Sequence, residues 1–201
     1  MKLGGRKAET RLQTTFETRR EYLTHEYLRS RGKILDYIKF KIKWNLFPKI
    51  KVVPNFPLNI DIEASSRCNI ACDHCFRQYM DMGEDENMDM DIYEKVVKEA
   101  GHYKLHTLKF SMRGEPTLHP QLPEMVGMAK KYGISEVWIN THGGNITEKL
   151  ADNLMQSKPD WVTVSFDGLG DVYESIRKPL KYEKSIAKLK LLRKYRDIHS
   201  K

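Results

Sequence analysis

Three cysteines fall within eight residues, Cys68-Asn-Ile-Ala-Cys72-Asp-His-Cys75, and the chain has no others. Three thiolates on one short loop can hold three irons of a cubic iron–sulfur cluster and leave the fourth iron without a protein ligand. An open position of that kind separates a reactive metal site from a closed structural one. Other chemistries use the same residue types. Tetrahedral zinc needs four ligands, and His74 is the nearby candidate for the fourth. It directly precedes Cys75, so the two side chains would have to reach one ion from adjacent positions. A Cys72–Cys75 redox pair would leave Cys68 idle. A disulfide framework sits poorly with an odd count and a long cysteine-free remainder.

The chain has 201 residues, enough for one domain of ordinary size with an appendage. No apolar run approaches the roughly 18 residues of a membrane span. Met1 to Arg20 is polar and lacks the apolar core of a signal peptide. Free cysteines without an export signal place the protein in a reducing cytoplasm. The net charge of +8 is uneven: residues 1–52 hold 14 Lys/Arg against 5 Asp/Glu, and the remainder 21 against 22. With Pro54 and Pro57 at the junction, this shift divides the chain into a basic, mostly helical extension, 1–52, and a main domain, 53–201.

Within the extension, residues 16–31 predict a charged surface helix. Residues 33–47 are both apolar and cationic. Tyr37, Ile38, Ile42 and Trp44 suit a helical stripe, yet Ile38 to Trp44 also alternates strictly like a strand. Three readings of that stretch compete. It packs on the main domain, it makes a weak membrane-surface contact through residues 33–47, or, least supported because no known motif accompanies the charge, it meets nucleic acid.

From residue 58 a regular alternation begins. Asn59 to Glu63, Leu105 to Phe110, Glu136 to Asn140 and Trp161 to Phe166 predict strands. Helices are expected after a capping box at Asp91-Ile-Tyr-Glu94, over Leu122 to Tyr132, after an N-cap at Thr147, over Asp171 to Arg177 and over Tyr182 to Tyr195. Residues 80–91, acidic and Met-rich, predict an exposed loop. Strands alternating with helices argue for an α/β fold of βα units around a parallel sheet, whose chemistry lies at the C-terminal ends of the strands. Each suspicious motif follows a strand: Ser111-Met-Arg-Gly-Glu-Pro-Thr117, Asn140-Thr-His-Gly-Gly144, and Ser165-Phe-Asp-Gly168 with Ile176-Arg177 beyond it.

From about Pro57 to Leu192 the chain resembles the radical S-adenosylmethionine (SAM) enzymes, in particular the core of those with a SPASM or twitch extension. The C-x3-C-x2-C spacing is the most specific point of likeness. The resemblance implies a partial (βα) barrel and a [4Fe-4S] cluster on Cys68, Cys72 and Cys75, with SAM on the open iron. Gly114-Glu115-Pro116 matches the end of a Gly-Gly-Glu motif that meets the SAM ammonium, with Arg113 in place of the first glycine. Thr141 matches a Thr-Asn-Gly motif lining the SAM pocket, with His142 in place of Asn; a lone loop histidine is more often solvated. Ser165, Asp167 and Arg177 match the residues around the SAM ribose and carboxylate, and a guanidinium suits a carboxylate because it donates two parallel bonds. His74 stands where an aromatic residue packs on the adenine.

The implied reaction is one-electron cleavage of SAM, fed by a small donor such as flavodoxin or ferredoxin. It ends in hydrogen abstraction from a substrate of the peptide, sugar or cofactor-precursor kind. The family core has six βα units and four are legible, so the chain is expected to be C-terminally truncated or completed by a partner. A non-catalytic cluster-binding fragment and a zinc-binding interaction module are the alternatives.

Overall fold

The computed structural model describes residues 18–30, 33–81 and 83–200. Contacts cluster into two units, Met1–Val52 and Val53–Lys201. In the first, Arg19–Ser30 forms helix α1 and Ile34–Ile50 forms helix α2. A reciprocal cap starts α1: the Glu21 N–H donates to Thr18 Oγ1 at 3.2 Å and the Thr18 N–H to Glu21 Oε2 at 3.3 Å. Two amides that no helical carbonyl can reach are thereby satisfied. Residues 16, 17 and 31 of the expected helix lie outside the described residues.

The ambiguous stretch Ile38 to Trp44 is helical. Tyr37, Phe40 and Trp44 bring their rings together along one side, with successive centroids 6.1 and 5.8 Å apart. Residues three and four apart meet on a helix but not on a strand. Pro48 lies in the last turn, and the helix stops where Lys51 turns left-handed at φ 55° and its N–H returns to the Phe47 carbonyl. Among the described residues no helix is long and apolar enough to cross a membrane.

The second unit runs β1 (Asn59–Ile62), β2 (Ala71–Cys72), α3 (Met90–His102), β3 (Thr107–Phe110), α4 (Leu122–Lys131), β4 (Glu136–Thr141), α5 (Glu148–Gln156), β5 (Trp161–Val164), α6 (Gly170–Ile176), β6 (Arg177–Lys178) and α7 (Tyr182–His199). β1, β3, β4 and β5 pair in that order, all parallel, with Ile62, Phe110, Ile139 and Val162 in one register. This is the α/β arrangement of four βα units that the alternation implied. β2 and β6 form a separate two-residue antiparallel ladder. Nothing in the sequence pattern marked it.

Leu108, Phe110, Val137 and Ile139 pack one sheet face against Tyr93, Val97, Met125, Ala129, Ala151 and Leu154 of α3, α4 and α5, all fully buried. The Tyr93 hydroxyl, inside this core, donates to the Met125 carbonyl at 2.7 Å, which removes the cost of burying it unpaired. At the N-terminal edge the buried Glu136 accepts from Thr107 Oγ1 at 2.9 Å and from Trp161 Nε1 at 3.0 Å, tying three strands together.

Two local expectations are corrected. The cap of α3 is Asp89, whose Oδ1 accepts from the Asp91 and Ile92 amides at 2.8 and 3.0 Å. The Asp91 box does not form, because the same chemistry is available two residues earlier. The acidic loop is not merely exposed: Met88 N–H donates to the Ala64 carbonyl at 2.8 Å and Ser66 N–H to the Glu86 carbonyl at 2.9 Å. Its second half thus lies along the chain leaving β1.

Phe110 sits at the centre of this core, its ring 5.9 Å from that of Tyr93. Phe110→Ala should cost about 3–5 kcal/mol, the usual range for emptying a buried aromatic site. Urea denaturation followed by circular dichroism measures it; a loss under about 1 kcal/mol would mean the core closes over the gap.

Candidate active site

The cysteine loop leaves β1 at the C-terminal edge of the sheet and meets the loops after β3, β4 and β5. Its first contact is backbone on backbone. A side chain at Gly114 would come within 1.9 Å of the Ser65 carbonyl oxygen and 2.8 Å of that of Arg67. The Glu115 N–H donates to the Arg67 carbonyl at 2.7 Å. The glycine therefore admits the chain's own entry to the cysteine loop; that is the close approach this structure gives it.

Glu115 is 3% exposed. Its Oε1 accepts from the Thr117 N–H, the Thr117 hydroxyl and the Thr141 hydroxyl at 3.1, 2.6 and 2.5 Å. Its Oε2 accepts from the His142 N–H at 2.9 Å. Both carboxylate oxygens are committed to the loops after β3 and β4. Pro116 and Thr141 are buried beside it.

His142 is 4% exposed and so is not the solvated loop histidine of the sequence expectation. Its Nδ1 accepts from the Gly144 N–H at 2.8 Å. The ring proton is therefore on Nε2, which donates to Asn69 Oδ1 at 3.0 Å and lies 3.3 Å from Glu115 Oε2. Burial pushes the His142 pKa down, against the pull of Glu115, and the ring is neutral. Asn69, inside the cysteine motif, also donates to Asn145 Oδ1 at 2.8 Å. A polar strut thus runs from the cysteine loop through His142 to Glu115. Asn69 and Asn145 were missed by sequence reasoning, since nothing in their spacing distinguishes them from solvated asparagines.

The other side of the loop is held by the β2–β6 ladder, which sets Cys72 opposite Arg177. Arg177 Nη1 lies 3.8 Å from Cys72 Sγ, and Nε donates to Asp167 Oδ2 at 2.5 Å. Residues 72, 167 and 177 are brought together. Ser165 precedes Asp167 by two residues, its N–H donating to the Thr141 carbonyl at 2.9 Å. His74 is exposed between Cys72 and Cys75.

All three cysteines are free thiols. Burial pushes the Cys68 and Cys72 thiols up, and Arg177 works against it at Cys72. Among the described residues no three His, Cys, Asp or Glu side chains converge on a point that would hold one ion. A cubic cluster asks for something different, since each thiolate takes a separate iron. Three free thiols on one loop are a donor set that suits such a cluster.

A further pair links β1 to β3. Glu63 accepts from Arg113 N–H at 2.9 Å, from Arg113 Nε at 3.2 and 3.0 Å and Nη2 at 2.5 Å, and from the Gly114 N–H at 3.1 Å. Arg113, which stands where the matching motif has glycine, earns its place through this fork.

Residues 62–199 match the model of the Radical SAM superfamily. The chain belongs to this superfamily. It is 31% identical over 140 residues to the tungsten-containing aldehyde ferredoxin oxidoreductase cofactor-modifying protein of Pyrococcus furiosus, covering 62% of this chain and 39% of that protein. The structure of native anSMEcpe with bound AdoMet superimposes with a TM-score of 0.58 at 27% identity, over 69% of this chain and 41% of that one. Streptococcus suis SuiB bound to S-adenosylmethionine shares the fold, with a TM-score of 0.61 at 17% identity over 88% of this chain and 42% of that one. The chain thus spans well under half the length of each of these radical SAM relatives.

Two outcomes follow. Gly114→Ala should force the chain at Ser65 to Arg67 to move and loosen the cysteine loop, seen as faster reaction of the thiols with a disulfide reagent. Gly127→Ala, on α4 with open space around it, should leave that rate unchanged. Equal rates in the two variants would remove the packing role. Glu63 supplies the pH test. Burial works to raise its pKa, but the hydrogen bonds from Arg113 and Gly114 outweigh it and hold the carboxyl below its ordinary value. A depressed carboxyl contributes stability above the unfolded value of about 4.3 that is lost as pH falls through the folded one. From about pH 4.3 downward the urea midpoint of Glu63→Gln should therefore fall less steeply than that of the parent.

Proposed function

We propose that this chain is the core of a radical SAM enzyme: it binds a [4Fe-4S] cluster through Cys68, Cys72 and Cys75 and SAM beside it. The observation that carries the reading is the set of three free thiols on one loop, flanked by an arginine and anchored to the loops after β3 and β4. The bound pair supplies one-electron cleavage of a sulfonium carbon–sulfur bond and a carbon-centred radical for hydrogen abstraction.

The chain's own residues bind and orient. Arg177, fixed by Asp167, offers its remaining N–H groups to the SAM carboxylate. Ser165 and Asp167 would line the ribose side, and the exposed His74 would be the ring available to the adenine. Gly114, Glu115, Pro116 and Thr141 form the floor. Glu115 acts there mainly by holding the loops, because contact with the SAM ammonium would require exchange of donors it already has. The sheet face turned away from α3, α4 and α5 carries Lys109, Ser111 and Asn140, with Asn140 Nδ2 donating to Ser111 Oγ at 3.3 Å and Lys109 5.6 Å above the Trp138 ring. A polar substrate of the peptide, sugar or cofactor-precursor kind suits such a wall. The name of the Pyrococcus relative favours a cofactor precursor. A small flavodoxin- or ferredoxin-type protein supplies the electron, and free thiols call for a reducing cytoplasm.

Anaerobic reconstitution with iron and sulfide should load about four irons per chain, and Cys→Ala at 68, 72 or 75 should abolish the visible absorbance. Arg177→Ala should keep the cluster and weaken SAM binding by about 1.5–3 kcal/mol. A loaded cluster without SAM binding or cleavage would make the chain a non-catalytic cluster carrier. One zinc and no iron would make it an interaction module.

A further inference from the structure

Helix α2 is apolar on two sides. One side, with Tyr37 and Phe40, is buried, and Lys41 pairs with Glu26 of α1 at 2.9 Å. The other carries Ile34, Leu35, Ile38, Ile42, Leu46 and Ile50, each between 44% and 74% exposed. At about 100° per residue these six fall within an arc of about 160° along a rod about 25 Å long. Scattered single exposures are ordinary on a protein surface; a continuous row of six is not. Leu23, Tyr27 and Leu28 of α1 are exposed as well. An open cavity of about 580 Å³ lies along the two helices; Ile34, Ile38, Ile42 and Leu46 line it together with the charged Glu26, Lys41 and Lys49.

The charges decide what covers this row. Lys39, Lys43 and Lys49 are exposed within or at the margin of the arc, and Lys33 and Lys51 are exposed at the two ends of the helix. Asp36 is the one acidic residue of the helix. A protein groove closing over the row would have to strip water from several ammonium groups. A second copy of the helix would set lysines against lysines. An anionic lipid interface meets both demands. Aliphatic side chains enter the acyl boundary while the lysine stems lie along it and hold their charges at the headgroups. No described helix is long and apolar enough to cross a bilayer, so a membrane-bound α2 would lie in the plane of the surface.

We propose that α2 docks the protein on anionic lipid membranes through this row. The proposal does not depend on the cluster or on SAM. The test is cosedimentation of the full 201-residue chain with vesicles of phosphatidylcholine, with or without about one third phosphatidylserine, at low and high salt. Binding to the anionic vesicles should exceed binding to neutral ones by about tenfold or more and collapse at about 0.5 M salt. The double variant Ile38→Glu/Ile42→Glu should abolish it, with helicity checked by circular dichroism. The triple variant Lys39→Gln/Lys43→Gln/Lys49→Gln, which leaves the apolar row intact, should weaken it by about fivefold per lysine. No vesicle binding, or equal binding to neutral and anionic vesicles, overturns the proposal. So does a self-association that the Glu pair abolishes, which would assign the row to a second copy.

Discussion

A carboxylate taken out of water must be given hydrogen-bond donors, and the cost of failing to do so is several kcal/mol. Glu115 meets that constraint with donors drawn from two different βα loops, Thr117 on its own loop and Thr141 and His142 on the next. Because His142 then reaches Asn69, the satisfaction of one buried charge also fixes where the cysteine loop stands. The thiols owe their position less to contacts of their own than to a polar network they border. Such networks specify one arrangement only when complete, which is why the neutral state of His142, with one nitrogen accepting and the other donating, matters to the geometry.

The second constraint is steric. Gly114 lets two backbones touch, and the next amide, on Glu115, donates across the contact. Arg113 and Glu63 then clamp the same crossing from the strand side. The departure from a double glycine is thus accommodated without disturbing the contact, since Arg113 points to Glu63 and leaves the space at Gly114 untouched.

Much of this was legible beforehand because parallel strands and amphipathic helices carry strong periodic signals. β1, β3, β4 and β5 lie where the alternation placed them, and the Thr147 cap of α5 accepts from the Leu150 N–H through its hydroxyl oxygen as expected. What escaped has a common cause. β2 and β6 are too short to have a period. Asp89 and Asp91 compete for the same cap, and only the backbone decides between them. Ile38 to Trp44 satisfies two periods at once, and the aromatic contacts at spacings of three and four settle it. The site motifs could be found in order along the chain, but whether Glu115 and His142 face a ligand or the chain's own loops depends on long-range packing that no local spacing encodes.

The β2–β6 ladder joins residues 72 and 177, separated by about half the chain. Its consequence is temporal. While the protein is being made, Cys68, Cys72 and Cys75 leave the ribosome long before Arg177 and Lys178 do. Until those residues emerge, the loop lacks one of its two edges and the guanidinium beside Cys72. A nascent chain at that stage therefore presents three thiols in half a frame, held only through the Asn69–His142–Glu115 side. If a cluster is delivered to this loop as proposed, its full frame exists only once the β2–β6 ladder has closed, so delivery suits a folded loop rather than a passing cysteine motif.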